Sequence, residues 1–298
     1  GMFAALTIPL LRLKSLFRIS YLVSLNRILT KTLGMKKTLA VINTVVIAVT
    51  IAFNGIASSG GINGNTVGGI SDMYDTLFTP SGYAFAIWGI IYLALIAFAI
   101  FQLRRAFSRE KESDFILQAG WWMTVANLAN ILWLYAWLNE YIGLSLVLML
   151  VILVSLLILV IRLNMERWDA PFPIIAFVWW PICIYSGWIA VATIANVSSL
   201  LVSLEWQALF SAEGWATVMI IVAILLNLLM ILLRNMREFA GVGVWALVAI
   251  SVRHWDSLPV LQWTALIGAI VLFLAIGVHG FRNRATGPQI KFREYFRA

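Results

Sequence analysis

Three apolar stretches of the chain carry aromatic and amide side chains at helical spacing. Phe85, Trp88 and Tyr92 recur at i, i+3 and i+7; Asn127, Asn130, Trp133 and Trp137 keep the same rhythm, as do Tyr185, Trp188, Ala192 and Asn196. Residues so spaced share one face of a helix. The chemistry open to such faces is non-covalent. Rings stack on a flat apolar molecule and amides hydrogen-bond its polar edge, the usual make-up of a small-molecule site. The tools of catalysis are not set beside them: His254 and His279 lie at the ends of apolar stretches, and no Ser/His/Asp set or carboxylate pair falls within one depth. Cys183 is the single cysteine, which excludes an intrachain disulfide and a cysteine-based metal site, and it reads as a small packing residue. No catalytic residue, metal ligand or cofactor is therefore expected, and the chain is not expected to be an enzyme.

The elements that must position these faces are membrane helices. The 298 residues are 62% hydrophobic and 11% charged, with a mean hydropathy of +0.94, against about 25% charged in a soluble domain. Runs near the roughly 20 residues needed to cross a bilayer fall at about 38–57, 82–103, 115–137, 142–161, 173–195, 215–233, 239–252 and 260–278. The seventh is short, so a tilted or re-entrant segment is the alternative there. Orientation follows from Lys and Arg, which are retained on the cytoplasmic side of short loops. With the N-terminus inside, every one of the 21 Lys and Arg residues except Arg253 lies in a cytoplasmic segment. The expectation is an all-α polytopic bundle of eight spans with both termini cytoplasmic, in the inner (cytoplasmic) membrane of a cell. The net charge of +8 is spread over five short segments without a recognition motif, so it reads as topology signal and lipid anchor rather than a nucleic-acid surface.

Along the chain, residues 1–34 contain "LLRLKSLFRISYLVSLNRIL", read either as a basic amphipathic helix on the inner leaflet or as sequence upstream of a bacterial start at Met35, where "MKKTLAVINTVVIAVTIAF" begins. Cleavage after "IASSG" is disfavoured because it would destroy the charge alternation. Residues 35–200 form the core of interest, 201–281 a further three-helix region and 282–298 a basic cytoplasmic tail. The longest loop between spans, 58–81, is rich in Gly and Asn and reads as a flexible outer lid. It ends in Thr-Pro-Ser-Gly, where Pro80 suits a first helical turn and Ser81 is placed to accept orphan amide protons.

For any one of the aromatic or amide residues, packing is the stronger reading, since Trp and Tyr gather at membrane interfaces and Asn often bonds a neighbouring helix. Asn130, Trp133, Trp188 and Asn196 nevertheless lie too deep for an interfacial belt. An amide in hydrocarbon is costly unless it faces protein or a cavity. Three such faces meeting would make an aromatic pocket with a few polar handles.

The motifs resemble the TspO/MBR group of tryptophan-rich sensory proteins, which includes the mitochondrial translocator protein. "TPSGYAFAIWGIIY" is similar to its P-P-G-W-V-F-G-x-V-W-x-x-L-Y signature, "ANILWLYAWL" to L-N-x-x-W-x-x-x-F, and "IYSGWIAVATIANVSS" to P-Y-x-x-W-x-x-x-A-T-x-x-N. The resemblance covers about 38–200, the family's five-helix core. It implies a ligand site formed by Tyr83, Phe85, Trp88, Asn130, Trp133, Trp137, Tyr185, Trp188, Ala192 and Asn196, under a lid hinged at Pro80 and Gly82. The chain departs from the pattern in being one residue short between Phe85 and Trp88, in Ile184 before Tyr185, and in lacking a tryptophan in the loop before Pro80. That last residue is the one linked to porphyrin breakdown, so binding is expected without catalysis. The implied function is a membrane binding and sensory protein for a flat hydrophobic ligand, a tetrapyrrole by analogy. A transporter or permease for small hydrophobic molecules is the alternative, weakened by the absence of any charged residue deep within a span. The expected partners are membrane lipid and one hydrophobic small molecule (porphyrin, haem or sterol-like), with no nucleic acid; a homodimer is left open.

Overall fold

The structure, a computed structural model, describes residues 2–74, 76–108, 114–206, 209–284 and 287–297, with side chains from residue 30 onward. Among these residues only helices occur as regular elements, with a single isolated bridge between Ile62 and Asn65. They are α1 (Met2–Ser58), α2 (Val67–Met73), α3 (Ile87–Phe107), α4 (Asp114–Ala119), α5 (Trp122–Leu138), α6 (Ile142–Arg162), α7 (Phe172–Ile174), α8 (Trp180–Ser203), α9 (Ala212–Arg234), α10 (Arg237–Arg253), α11 (Pro259–Arg282) and α12 (Pro288–Tyr295). A 3₁₀ turn, Gly82–Ala86, leads into α3, and a π turn, Ile175–Trp179, joins α7 to α8.

Six helical stretches are long and apolar enough to cross a membrane: Thr30–Ser58, Gly82–Phe107, Ile142–Arg162, Phe172–Ser203, Ala212–Arg234 and Pro259–Arg282. The chain is a multi-pass membrane protein. The third and seventh expected spans are helical but shorter. Gly120, at a φ of 56° that an L side chain rarely adopts, separates α4 from α5, and α5 and α10 have 17 residues each, about 25 Å of helix. The weak hydropathy of α10 has a packing cause. It is rich in small residues and packs on α8, α9 and α11. At Gly187 of α8 an added Cβ would lie 2.8 Å from the carbonyl oxygen of Phe239, and at Gly243 one would strike the Asn227 amide. Close backbone approach through small residues is how helices associate in lipid.

Helices α1, α3, α8, α6 and α5 pack in that order into a closed ring, each touching the next and α5 returning to α1. The remaining three attach through α10, which docks on α8, while α9 and α11 pack on α10 and on each other. Large apolar side chains such as Leu93, Leu232 and Phe273 face outward, at least two-thirds exposed. In hydrocarbon such a surface carries no penalty.

Two segments are more ordered than the sequence reading allowed. The lid contains α2, capped by Thr66, whose hydroxyl accepts the amide proton of Gly69. The basic tail forms α12, which folds back on α7 through Phe172 and Phe292 (ring centroids 5.0 Å apart) and through Lys291, whose ammonium meets Asp169 at 2.8 Å. Ser81 does not cap with its side chain. Its carbonyl accepts from the amide of Ala84 and its own amide donates to Ala249 of α10. The amphipathic character expected of residues 1–34 falls almost wholly on side chains outside those described.

Candidate ligand cavity in the five-helix ring

The aromatic faces read from the sequence meet inside the ring. Trp88 of α3 stacks on Tyr92 (5.6 Å between centroids) and on Trp133 of α5 (6.4 Å), and Trp133 stacks in turn on Trp137 (6.2 Å). Tyr74 of the lid continues the series beside Trp137 at 6.3 Å. Phe85 meets Trp188 of α8 edge-on at 5.9 Å, and Tyr185 meets Trp88 likewise at 6.0 Å. These are the offset and edge-to-face geometries aromatic quadrupoles prefer.

A cavity of about 40 Å³ lies among them, walled by Phe85, Trp88, Trp133, Trp137, Trp188, Ala192 and Asn196 and roofed by Val67, Ser71 and Pro80. Its size follows from the stacking. The rings that would hold a flat molecule are packed on one another, and small-molecule pockets normally have roughly 300–1,000 Å³. Seven of the ten expected site residues line the cavity. Asn130 and Tyr185 do not reach its wall but lie fully buried, Tyr185 edge-on against Trp88. Tyr83 is corrected: it is 44% exposed and packs edge-on against Trp245 of α10, because the 3₁₀ turn aims it outward. The expected hinge is also placed differently. Pro80 is buried under the lid as cavity wall, and Gly82 is exposed with nothing around it.

The polar handles divide into spent and unspent groups. Asn196, expected to serve a ligand, donates one Nδ2 proton to Ser145 Oγ at 3.0 Å, and its Oδ1 shares the Ser145 hydroxyl proton, at 3.2 Å, with the Ile142 carbonyl at 2.8 Å. Asn130 accepts from Asn54 Nδ2 at 3.0 Å; its own Nδ2, like Trp133 Nε1, Tyr185 Oη and Asn127 Oδ1, makes no close hydrogen bond, although the Asn130 and Tyr185 side chains face each other near enough to interact. Buried polar atoms without partners are few in folded proteins, and of the ten among the described residues these four belong to α5 and α8 of the ring. Three of these four are donors, gathered beside one aromatic cavity.

Sequence reasoning missed the face of α1 that supports them. Asn43, Thr50 and Asn54 lie at i, i+7 and i+11 and are buried. Asn43 and Thr124 share a hydrogen bond, Asn43 donates to Gln102 at 3.4 Å, and Thr50 donates to the Asn127 carbonyl at 3.3 Å. The spacing in "NTVVIAVTIAFN" was the available signal.

The lid is held from both sides. Trp137 Nε1 donates to the Val67 carbonyl at 3.2 Å and Asn65 donates to the Leu138 carbonyl at 2.9 Å, which ties it to α5. Arg253 pairs with Asp72 at 2.8 Å, and His254 Nε2 donates to the Leu77 carbonyl at 2.7 Å. Those two contacts tie the lid to the end of α10. Burial, then the Glu140 carboxylate, raises the Tyr74 phenol above its ordinary value.

Comparison with curated proteins and with solved structures found no match to the chain. A family described as TSPO-like protein matches residues 40–278, which takes in the five-helix ring and also α9, α10 and most of α11. The three further helices are thus within the family's own extent, and the chain belongs to the TSPO-like family.

Proposed function

We propose that the protein is a membrane binding and sensory protein that takes a flat, largely apolar ligand, a tetrapyrrole by family resemblance, between Trp88, Trp133 and Trp188. The observation carrying this reading is the set of unpartnered buried donors on Asn130, Trp133 and Tyr185 beside that cavity. The described conformation is the closed one. A porphyrin-sized guest needs the tryptophan stack to part and the lid to lift, and its polar groups then receive the protons of Asn130 and Tyr185. The reading is of a binder rather than an enzyme. It sits in the inner membrane with eight crossings and both termini cytoplasmic. Two end-to-end groupings support that topology: Lys36 with Asp114 and Lys291 with Asp169 at one end, and Arg253 with Asp72 at the other.

The test is a spectral titration of the purified protein with protoporphyrin IX. Ala192→Phe fills the cavity beside Trp188 and abolishes binding by occlusion. Leu132→Phe, on α5 at a 55% exposed position outside the cavity wall, leaves it unchanged. Equal binding by a monodisperse Ala192→Phe protein would return the aromatic faces to a packing role.

A further inference from the structure

A second hollow, about 430 Å³ in volume, lies on the other side of the lid strap, between the ends of α8 and α9. Trp215 of α9 lines it, with Trp206 at 5.1 Å and Phe210 edge-on at 5.3 Å. Leu77 and Phe78 of the lid strap, 76–78, line the same hollow, as do Thr76, Ser198 and Ser211; the Ser198 hydroxyl donates to the Ile194 carbonyl at 3.0 Å and Ser211 Oγ accepts from the Gly214 amide at 3.2 Å. Trp206 and Phe210 are 43% and 52% exposed around the rim. A hollow of this volume, rimmed by rings and lined by a few hydroxyl-bearing residues, has the size and make-up of a small-molecule site.

The strap is one segment thick between this hollow and the closed cavity. Ser71 and Pro80 line the inner cavity, while Thr76, Leu77 and Phe78 line the outer hollow. A chain of hydroxyls crosses the wall, with Thr76 and Thr79 2.7 Å apart and Thr79 and Ser71 3.5 Å apart. The inner cavity is too small to admit a ring system as it stands, whereas the outer hollow is already open at ligand size.

We propose that the outer hollow is a second binding site, at the junction of the five-helix ring and the three-helix extension, for a flat aromatic molecule with a polar edge. The rings of Trp215 and Trp206 take its face, and the hydroxyl oxygens of Thr76 and Ser198, both already in local hydrogen bonds, accept from its edge. That its ligand is of the same class as the inner one rests on the function proposed above; that the hollow binds a flat aromatic molecule does not.

The experiment is a stoichiometric titration of the full chain in phospholipid nanodiscs with protoporphyrin IX, followed by its visible absorption. Val202→Trp and Ala212→Trp each place an indole in the outer hollow from an exposed position, where folding tolerates it. Wild type is expected to take two saturable equivalents. Either outer variant and Ala192→Phe should each take one, and the combination none. A single equivalent lost in the outer variants and kept in Ala192→Phe supports the outer site and removes the inner one. A single equivalent lost only in Ala192→Phe overturns the outer site. Non-saturating uptake that none of the variants changes, as expected if lipid acyl chains fill the hollow, also overturns it.

Discussion

At the residue scale, the structure separates two asparagines that the sequence treats alike. Both Asn130 and Asn196 lie deep in apolar helices, and both fall in motifs of the same family. Asn196 is already engaged with Ser145 through both Nδ2 and Oδ1, so most of its hydrogen-bonding capacity is used between the helices. Asn196→Ala is expected to lower the melting temperature, with a loss of about 0.6 kcal/mol typical of interhelical bonds in membranes, and to change porphyrin affinity less than twofold. Asn130→Leu should weaken porphyrin binding about tenfold, since it removes a ligand donor as well as the acceptor for Asn54. Thermal unfolding and spectral titration on the same preparations check both. The sequence could place these amides on one face each. It could not say which were already spent, because that depends on Ser145 and Asn54, whose helices carry no motif pointing at them.

At the scale of elements, α10 is both the least apolar of the eight expected spans and the one the other parts depend on. It docks the extension on α8, accepts the Ser81 amide at the start of the 3₁₀ turn and, through Arg253 and His254, holds the lid. The exposed ion pair contributes up to about 1 kcal/mol and the histidine bond about 1 kcal/mol. Replacing both residues by alanine is therefore expected to speed hydrogen exchange of the α2 amides by roughly tenfold, with little change in α5 or α8. Equal exchange would mean that Trp137 and Asn65 hold the lid alone. Helix positions were largely legible because an apolar run has few alternatives in a membrane. The lid helix and α12 were not, since each is short, polar and ordered by contacts far away in the chain: Val67 with Trp137, and Phe292 with Phe172.

At the scale of the whole molecule, the ring and the extension meet along α8 and α10 and at two further joints, the lid at one end and the turn between α9 and α10 at the other. In the second, Asn235 donates to Glu166 at 3.1 Å and Arg167 donates to the Leu233 carbonyl at 3.1 Å. Burial, reinforced by the Glu238 carboxylate and opposed by Arg237 and Asn235, pushes Glu166 up to about 7 from 4.5. The folded protein then binds this proton more tightly than the unfolded chain, so stability increases as pH falls through about 7 and levels off below about 4.5. Melting between pH 8 and 5.5 should show that gain in the wild type. Glu166→Gln should hold it at both pH values, since a neutral amide oxygen still accepts from Asn235. The central claim, however, concerns the closed cavity between the joints. The most direct measurement is an experimental structure of the full chain with protoporphyrin IX bound. The account predicts the macrocycle between Trp88, Trp133 and Trp188, the 40 Å³ cavity enlarged to several hundred Å³, and ligand atoms within hydrogen-bonding distance of Asn130 or Tyr185. A bound porphyrin with the tryptophan stack still closed and those donors still unpartnered would contradict it.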